Sequence, residues 1–257
     1  MCPNHAGREP SSVASGAPGK PAAPADPALL GELVTANRIL FDHGVVDAFG
    51  HVSVRHDKAP DRFLLSRNMA PALVTADDIL EFDLDANPIG AQGRTVYLER
   101  FIHAEIYRAR PDVQAVVHSH SASVVPFGIV ADALLRPVWH MSGFLGVQTP
   151  VFEIRDIAGN SSDLLIRNSA LGAALAQALG DESVVLMRGH GATIVGPDLR
   201  QAVFRAVYTE LNARIQIDAT RLGTVDFLTA REAQAAAAAN AGQVNRAWDL
   251  WVRKIGA

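Results

Sequence analysis

Apolar residues recur along this chain at intervals that alternate between helical and strand-like spacing. After Asp26-Pro27, a favourable helix start, leucines and isoleucines recur every three or four residues until a stop near Gly44. Alternating or continuous apolar runs bounded by turn residues then predict strands. These strands are expected at residues 49–55, 63–66 and 79–84.

The second half of the chain continues this alternation. Apolar runs at 113–117 and 183–187 predict buried strands, and helical spacing predicts helices at 99–110, 169–179, 199–222 and 230–241. No glycine-rich dinucleotide loop follows any of the predicted strands. The order therefore predicts a single α/β domain with α/β/α layering, in which helices cover both faces of a mixed or antiparallel sheet.

Composition sets the boundaries of this domain and narrows its partners. Residues 1–27 are rich in Pro, Ala, Gly and Ser without apolar periodicity, which predicts a disordered tail and leaves 28–257 as the folded domain. The net charge of -4 comes without a basic stripe for nucleic acid or a polybasic patch for membranes, so a small-molecule substrate is expected. Cys2 is the only cysteine, which excludes internal disulfides. No run of eighteen apolar residues occurs, and the cytoplasm is the simplest expected location.

Three histidines follow two of the predicted strands. His118-Ser119-His120 ends the first apolar run, and His190 lies in a polar turn after the second. In a strand, residues i and i+2 point to the same face, so His118 and His120 can aim two imidazoles at one point. Three neutral imidazoles with one open coordination position are typical of a catalytic metal site. The alternative is that they are ordinary histidines at strand ends.

A glutamate nineteen residues before His118 makes this arrangement more specific. Glu99 opens the segment ERFIHAEIY, and the motifs VVHSH and LMRGHGA follow it. From about residue 29 to about residue 219, this order resembles the class II aldolase/adducin family. The resemblance implies that the three histidines bind one divalent metal and that Glu99 is the acid/base and can approach it. It also implies a homo-oligomer, expected to be a tetramer, with the active site near a subunit interface.

Departures from the sugar-phosphate aldolases of this family indicate a different substrate. His51 stands where those enzymes usually have asparagine, and Val96-Tyr97-Leu98 replaces the region of their phosphate-binding serine pair. Ser66 and Arg67 offer a hydroxyl and a planar fork suited to a carboxylate. Two alternatives stay open: His51 as a hydrogen-bonded strand residue, and Arg67 as a solvated turn residue. His140 is expected to pack beside its neighbours.

The motifs FGHVSVR and LLSR are similar to the decarboxylase branch of the family. Its members act on hydroxylated aromatic or pyridine dicarboxylates, such as 3,4-dihydroxyphthalate and 3-hydroxy-2-methylpyridine-4,5-dicarboxylate. We therefore expect a carbon–carbon lyase, a metal-dependent decarboxylase of such an ortho-dicarboxylate.

In this interpretation Zn²⁺ or Mn²⁺ stabilises the electrons left by the departing carbon dioxide. Glu99, with a pKa raised by burial, or His51 supplies the proton. Arg67 holds the remaining carboxylate with help from Ser66. The alternatives are an aldolase, retro-aldolase or epimerase acting on a sugar phosphate or hydroxy-keto acid, and a non-catalytic adducin-like interaction domain.

Overall fold

Strands and helices alternate through residues 23–256, which are described by a computed structural model. Of the predicted tail 1–27, residues 1–22 lie outside the described part of the chain. The strands are β1 (His51–His56), β2 (Ala59–Ser66), β3 (Ile79–Asp83), β4 (Pro88–Ile89), β5 (Ala115–Ser119), β6 (Val151–Phe152), β7 (Val184–Met187) and β8 (Gly191–Gly196). The α-helices are α1 (Pro27–Asp42), α2 (Arg100–Ala109), α3 (Val125–Ile129), α4 (Arg155–Ala158), α5 (Ser169–Leu179), α6 (Leu199–Leu222), α7 (Ala230–Ala241) and α8 (Val244–Ile255).

One sheet contains all of these strands, in the order β4-β3-β2-β1-β5-β8-β7-β6. Every neighbouring pair is antiparallel except β6 and β7, which are parallel. The predicted mixed or antiparallel sheet is therefore confirmed. None of the helices in residues 23–256 is long and apolar enough to cross a membrane.

Successive side chains of the central strands enter two separate cores, as the pleat of a strand requires. Val52 and Val54 of β1 pack in the core that includes residues of α1, α6 and α8, and Phe63 and Leu65 of β2 pack in the core that includes residues of α2 and α5. Val116 of β5 lies on the α2 side. Helices on both faces of the sheet confirm the predicted α/β/α layering.

Local sequence signals explain where several helices begin and end. The Asp26 carboxylate accepts a hydrogen bond from the Ala28 N–H at 2.8 Å and caps α1. Asn168 and Asp198 cap α5 and α6 in the same way. Gly180 follows α5 with a positive φ of 54°, where glycine is favoured. The predicted helices at 169–179, 199–222 and 230–241 match the structure.

The sheet brings distant parts of the chain to one place. β1 and β5 are neighbours, and His51 lies directly opposite His118 in their register. β8 pairs with the other edge of β5, and the turn between β7 and β8 carries His190. α2 covers the same face, with Glu99 immediately before its first residue.

Candidate active site

The three predicted metal-binding histidines meet at the end of β5. His118 Nε2 and His120 Nε2 are 3.1 Å apart, and His120 Nε2 is 3.0 Å from His190 Nε2. His118 is completely buried and belongs to β5, whereas His120 lies just beyond the strand. The spacing i, i+2 at the strand end therefore brings two imidazoles together, and the β7–β8 turn adds the third.

Glu99 faces this histidine cluster. Its Oε2 atom lies 3.6 Å from His118 Nε2 and 3.5 Å from His190 Nε2. Its Oε1 atom accepts a hydrogen bond from the Ile166 N–H at 2.9 Å, and the side chain makes no hydrogen bond that caps α2. The carboxylate is thus held towards the histidines rather than used to end the helix.

The charge state of Glu99 differs from the sequence expectation. Burial raises the pKa of this carboxyl, but hydrogen bonding and charge from His118 and His190 outweigh burial and hold the pKa well below its usual range. Our expectation of a raised pKa considered burial and not the two imidazoles that face the carboxylate. Glu99 is therefore ionised and offers a carboxylate oxygen to the histidine cluster.

The surroundings of the histidines shift their pKa values in different directions. Burial lowers the pKa of His118, whereas the Glu99 carboxylate outweighs burial and raises the pKa of His190. His190 Nδ1–H donates to the Leu164 carbonyl oxygen at 2.9 Å, so its Nε2 lone pair faces the cluster. Burial, and then the neighbouring His118 and His190, lower the pKa of His120 to about 4. Neutral imidazole is the form that binds metal.

The donor set fits one divalent cation. Glu99, His118, His120 and His190 each offer one ligand atom, and these atoms all lie within 4.8 Å of one another. A tetrahedral ion with bonds of about 2.0–2.1 Å holds its nitrogen ligands about 3.3–3.4 Å apart. The Nε2–Nε2 contacts of 3.1 and 3.0 Å are close to this spacing. The side chains need only small movements to bind an ion.

A cavity of about 270 Å³ opens beside the histidine cluster. Phe49 stands at its edge, 67% exposed, with its ring centroid 6.5 Å from that of His120. The lining residues are Ala48, Phe49, Gly50, His51, Asn68, Met69, Ala70, Tyr97, Leu98, Glu99, His120 and Leu165. A mostly apolar wall beside a few polar groups suits a small molecule.

His51 is buried between the cavity and the sheet. Its ring centroid lies 4.6 Å from that of Tyr97 and 5.0 Å from that of His118. Burial, followed by the neighbouring His103 and His118, lowers the pKa of His51 well below its usual range. His51 is therefore a neutral imidazole in the cavity wall.

Ser66 and Arg67 lie behind the cavity rather than in its lining. Ser66 is buried, and its Oγ atom is 3.2 Å from the Tyr97 hydroxyl oxygen. Arg67 Nε–H donates to Asp78 Oδ1 at 2.6 Å, with the side chain 37% exposed. Contact of Arg67 with a substrate carboxylate stays a prediction.

Asn68 and Met69, which follow Arg67, line the cavity instead, and neither was predicted as a site residue. The Tyr97 hydroxyl donates to the Met69 carbonyl oxygen at 2.6 Å, which ties this loop to the segment before α2. His140 lines a separate cavity with residues of α6 and α8. No sequence signal marks Asn68, because a lone polar residue in a loop has many possible roles.

Comparison with known proteins connects this site to a family. The protein-family model described as Class II Aldolase and Adducin N-terminal domain matches residues 31–217. Decarboxylase tropJ of Talaromyces stipitatus is 40% identical over 245 residues, which cover 86% of this chain and 92% of that protein. The 3,4-dihydroxyphthalate decarboxylase of Arthrobacter keyseri is 32% identical over 201 residues, which cover 74% of this chain and 78% of that protein.

A solved structure agrees with this connection. The L-fuculose 1-phosphate aldolase from Glaciozyma antarctica PI12 superposes with a TM-score of 0.72, covering 89% of this chain and 90% of that chain. Its sequence identity is 24%, so it supports the fold alone. The decarboxylase relatives confirm the predicted enzyme class, a carbon–carbon lyase. Because the family model spans most of the described residues, this chain belongs to the class II aldolase and adducin family.

Proposed function

We propose that the protein is a metal-dependent decarboxylase of a hydroxylated aromatic or heteroaromatic ortho-dicarboxylate. The observation that carries this proposal is the cluster of three imidazoles and one carboxylate beside a small cavity. Similarity to two decarboxylases, one of which is named for 3,4-dihydroxyphthalate, supports the reaction and the substrate class.

His118, His120 and His190 would hold the metal ion, with Glu99 close enough to join them. When bound, Zn²⁺ or Mn²⁺ supplies a Lewis acid that stabilises negative charge developing on a substrate oxygen. The chain holds its ligands in place through the Leu164 carbonyl and the register of β5. Such supporting contacts fix the orientation of each ring.

Glu99 would move one proton during the reaction. As a carboxylate it accepts the proton of the substrate's ring hydroxyl. The carbon–carbon bond then breaks, carbon dioxide leaves, and the electron pair stays on the ring carbon. Glu99 returns its proton to that carbon, so the ring gains a C–H bond and the hydroxyl oxygen is left as an anion. His51 lies in the same cavity wall as the second candidate for proton transfer.

Substrate recognition would use the cavity wall and the loop behind it. Phe49 and Tyr97 offer aromatic surface to a flat ring. Asn68 lines the cavity. Arg67 and Ser66 would hold the carboxylate that is retained, as predicted from the sequence. We also propose a homotetramer with the active site near a subunit interface, and a cytoplasmic location.

The function can be tested by measuring carbon dioxide release. Purified protein loaded with Zn²⁺ or with Mn²⁺ is supplied with 3,4-dihydroxyphthalate, related hydroxylated ortho-dicarboxylates or L-fuculose 1-phosphate. We expect carbon dioxide from at least one diacid and no cleavage of the sugar phosphate. The His118→Ala/His190→Ala variant, checked for folding, should lose both the metal and the activity. Cleavage of the sugar phosphate without decarboxylation of any diacid would replace this proposal by an aldolase.

A further inference from the structure

A row of buried hydrogen bonds continues from His51 away from the cavity. His51 Nδ1 lies 2.6 Å from His103 Nε2, and His103 Nδ1 lies 2.6 Å from Ser53 Oγ. Ser53 Oγ lies 2.8 Å from the Tyr107 hydroxyl oxygen. All four side chains are at most 4% exposed. The chemistry proposed above uses only His51 of the four.

The periods of a strand and a helix bring these residues together. His51 and Ser53 are two apart on β1 and share the face that is covered by α2. His103 and Tyr107 are four apart on α2 and therefore lie on one side of that helix. Residues of the strand and the helix alternate along the hydrogen bonds, in the order His51, His103, Ser53, Tyr107. They form one continuous hydrogen-bond chain between helix and sheet.

The direction of this chain follows from a count of protons. Each contact needs one hydrogen, and each neutral side chain supplies one. Within residues 23–256, Ser53 is the only acceptor in hydrogen-bond contact with the Tyr107 O–H. Because a buried donor is costly to leave unpaired, Tyr107 donates to Ser53.

The donors and acceptors of the other two hydrogen bonds then have a single possible arrangement. Ser53 has accepted a hydrogen bond from Tyr107, so its own O–H donates to His103 Nδ1. His103 therefore carries its proton on Nε2 and donates it to His51 Nδ1. His51 is left with its proton on Nε2, the nitrogen that has no hydrogen-bond partner in the described residues, and the side chain lines the cavity.

We propose that His103, Ser53 and Tyr107 are positioning residues that lock His51 in the Nε2-protonated tautomer, so that it presents a fixed N–H donor to an acceptor oxygen of the bound ligand. The tautomer of His51 follows from these hydrogen bonds alone. The identity of that oxygen, a carboxylate or ring oxygen of an aromatic diacid, rests on the proposed function. A nitrogen that carries a proton cannot ligate a metal, which separates His51 from the three histidines of the cluster.

The direction of these hydrogen bonds also assigns different roles to His51 and Glu99. A proton given up by His51 Nε2 would have to be replaced from His103, then Ser53 and finally Tyr107. That transfer ends on a buried phenolate, and burial raises the pKa of Tyr107. The hydrogen-bond chain therefore keeps the proton on His51 Nε2. His51 acts as a hydrogen-bond donor, and Glu99 transfers the proton.

The tautomer can be read directly in solution. Protein labelled with ¹⁵N-histidine is examined by long-range ¹H–¹⁵N correlation at neutral pH, without metal and with Zn²⁺, and the His51 signals are assigned with His51→Gln. We expect a protonated Nε2 and an unprotonated Nδ1 in both states. A protonated Nδ1 on His51 in the wild-type protein would overturn the proposal. This readout needs no substrate, so it is independent of whether the protein proves to be a decarboxylase.

Variants distinguish positioning from general structural support. Tyr107→Phe removes one hydroxyl, and we expect the His51 signals to become a mixture of tautomers. His103→Gln keeps an N–H that can reach His51 Nδ1, whereas His103→Leu removes it. With an active substrate, we expect His103→Leu to lower kcat/KM by about 10- to 100-fold, as loss of a hydrogen bond to a charged group does, and His103→Gln to recover most of the loss. Equal losses in both variants, with a wild-type His51 tautomer in His103→Leu, would contradict the proposal.

Discussion

Gly191 offers a sharp test of how the strands position the histidine cluster. A Cβ atom added there would lie 2.0 Å from the Ser119 carbonyl oxygen and 3.1 Å from the His120 Cα atom. Both neighbours are backbone atoms and cannot rotate away. The first contact must lengthen from 2.0 Å to about 3.4 Å, an ordinary van der Waals distance, so Gly191→Ala must push the start of β8 away from the end of β5.

We expect Gly191→Ala to lower the free energy of unfolding moderately and to weaken Zn²⁺ binding more strongly. Overpacking of this kind costs about 1–3 kcal/mol, which a domain with about 5–15 kcal/mol of stability survives. His190 immediately precedes Gly191, so the same movement widens the 3.0 Å contact between His190 Nε2 and His120 Nε2. We expect Zn²⁺ affinity to fall by about 10- to 100-fold, the range found when ligand orientation is disturbed.

Urea unfolding and calorimetric titration with Zn²⁺ measure the two effects separately. Gly31→Ala is the matched control, because Gly31 lies inside α1 and an added Cβ has nothing within 4 Å. That substitution should raise the free energy of unfolding by about 0.5–1 kcal/mol and leave Zn²⁺ affinity unchanged. If Gly191→Ala keeps wild-type stability and wild-type Zn²⁺ affinity, the close approach of β5 and β8 does not position the histidines.

Three further predictions concern single side chains. Glu99→Gln should stay folded and bind metal but lose nearly all turnover, and a wild-type rate would exclude Glu99 as the proton carrier. Arg67→Ala should raise KM for dicarboxylates far more than for monocarboxylates, and equal effects on both would remove Arg67 from carboxylate binding. Burial lowers the pKa of His103 to about 3, so between this value and the ordinary histidine value of 6.5 the unfolded chain binds a proton that the folded chain does not. The free energy of unfolding of the metal-free protein should therefore fall as the pH is lowered through this window, and the part due to His103, up to about 1.4 kcal/mol per pH unit, should be absent in His103→Leu.

Long periodic segments made most of the fold predictable from the sequence. The helices predicted at 199–222 and 230–241 match α6 and α7, and the apolar run at 113–117 leads into β5, which contains His118. β4 and β6 are two residues long, which is too short to show any period. β8 follows directly from the turn at His190, and its residues are buried on both sides, so it lacks the alternation that marks a half-exposed strand.

The candidate site was predictable where residue type and spacing both limited the chemistry. The three histidines and Glu99 come together in the structure because strand ends and a helix start fix their directions. The loop after β2 has no such constraint, and the ion pair of Arg67 with Asp78 depends on a partner eleven residues away. His103 had a readable signal, since it lies four residues before Tyr107 on a buried helix face, but its partner His51 is fifty-two residues distant.

The two ends of the sheet limit how copies of this chain can associate. β4 and β6 are the outermost strands, and each is only two residues long. Pro88 in β4 has no N–H to offer a neighbouring strand. Such short edges give a second chain almost no ladder to extend, which disfavours continuous intermolecular sheets and aggregation along this direction. In the proposed homotetramer, contacts between copies would therefore involve helices and loops rather than these strand edges.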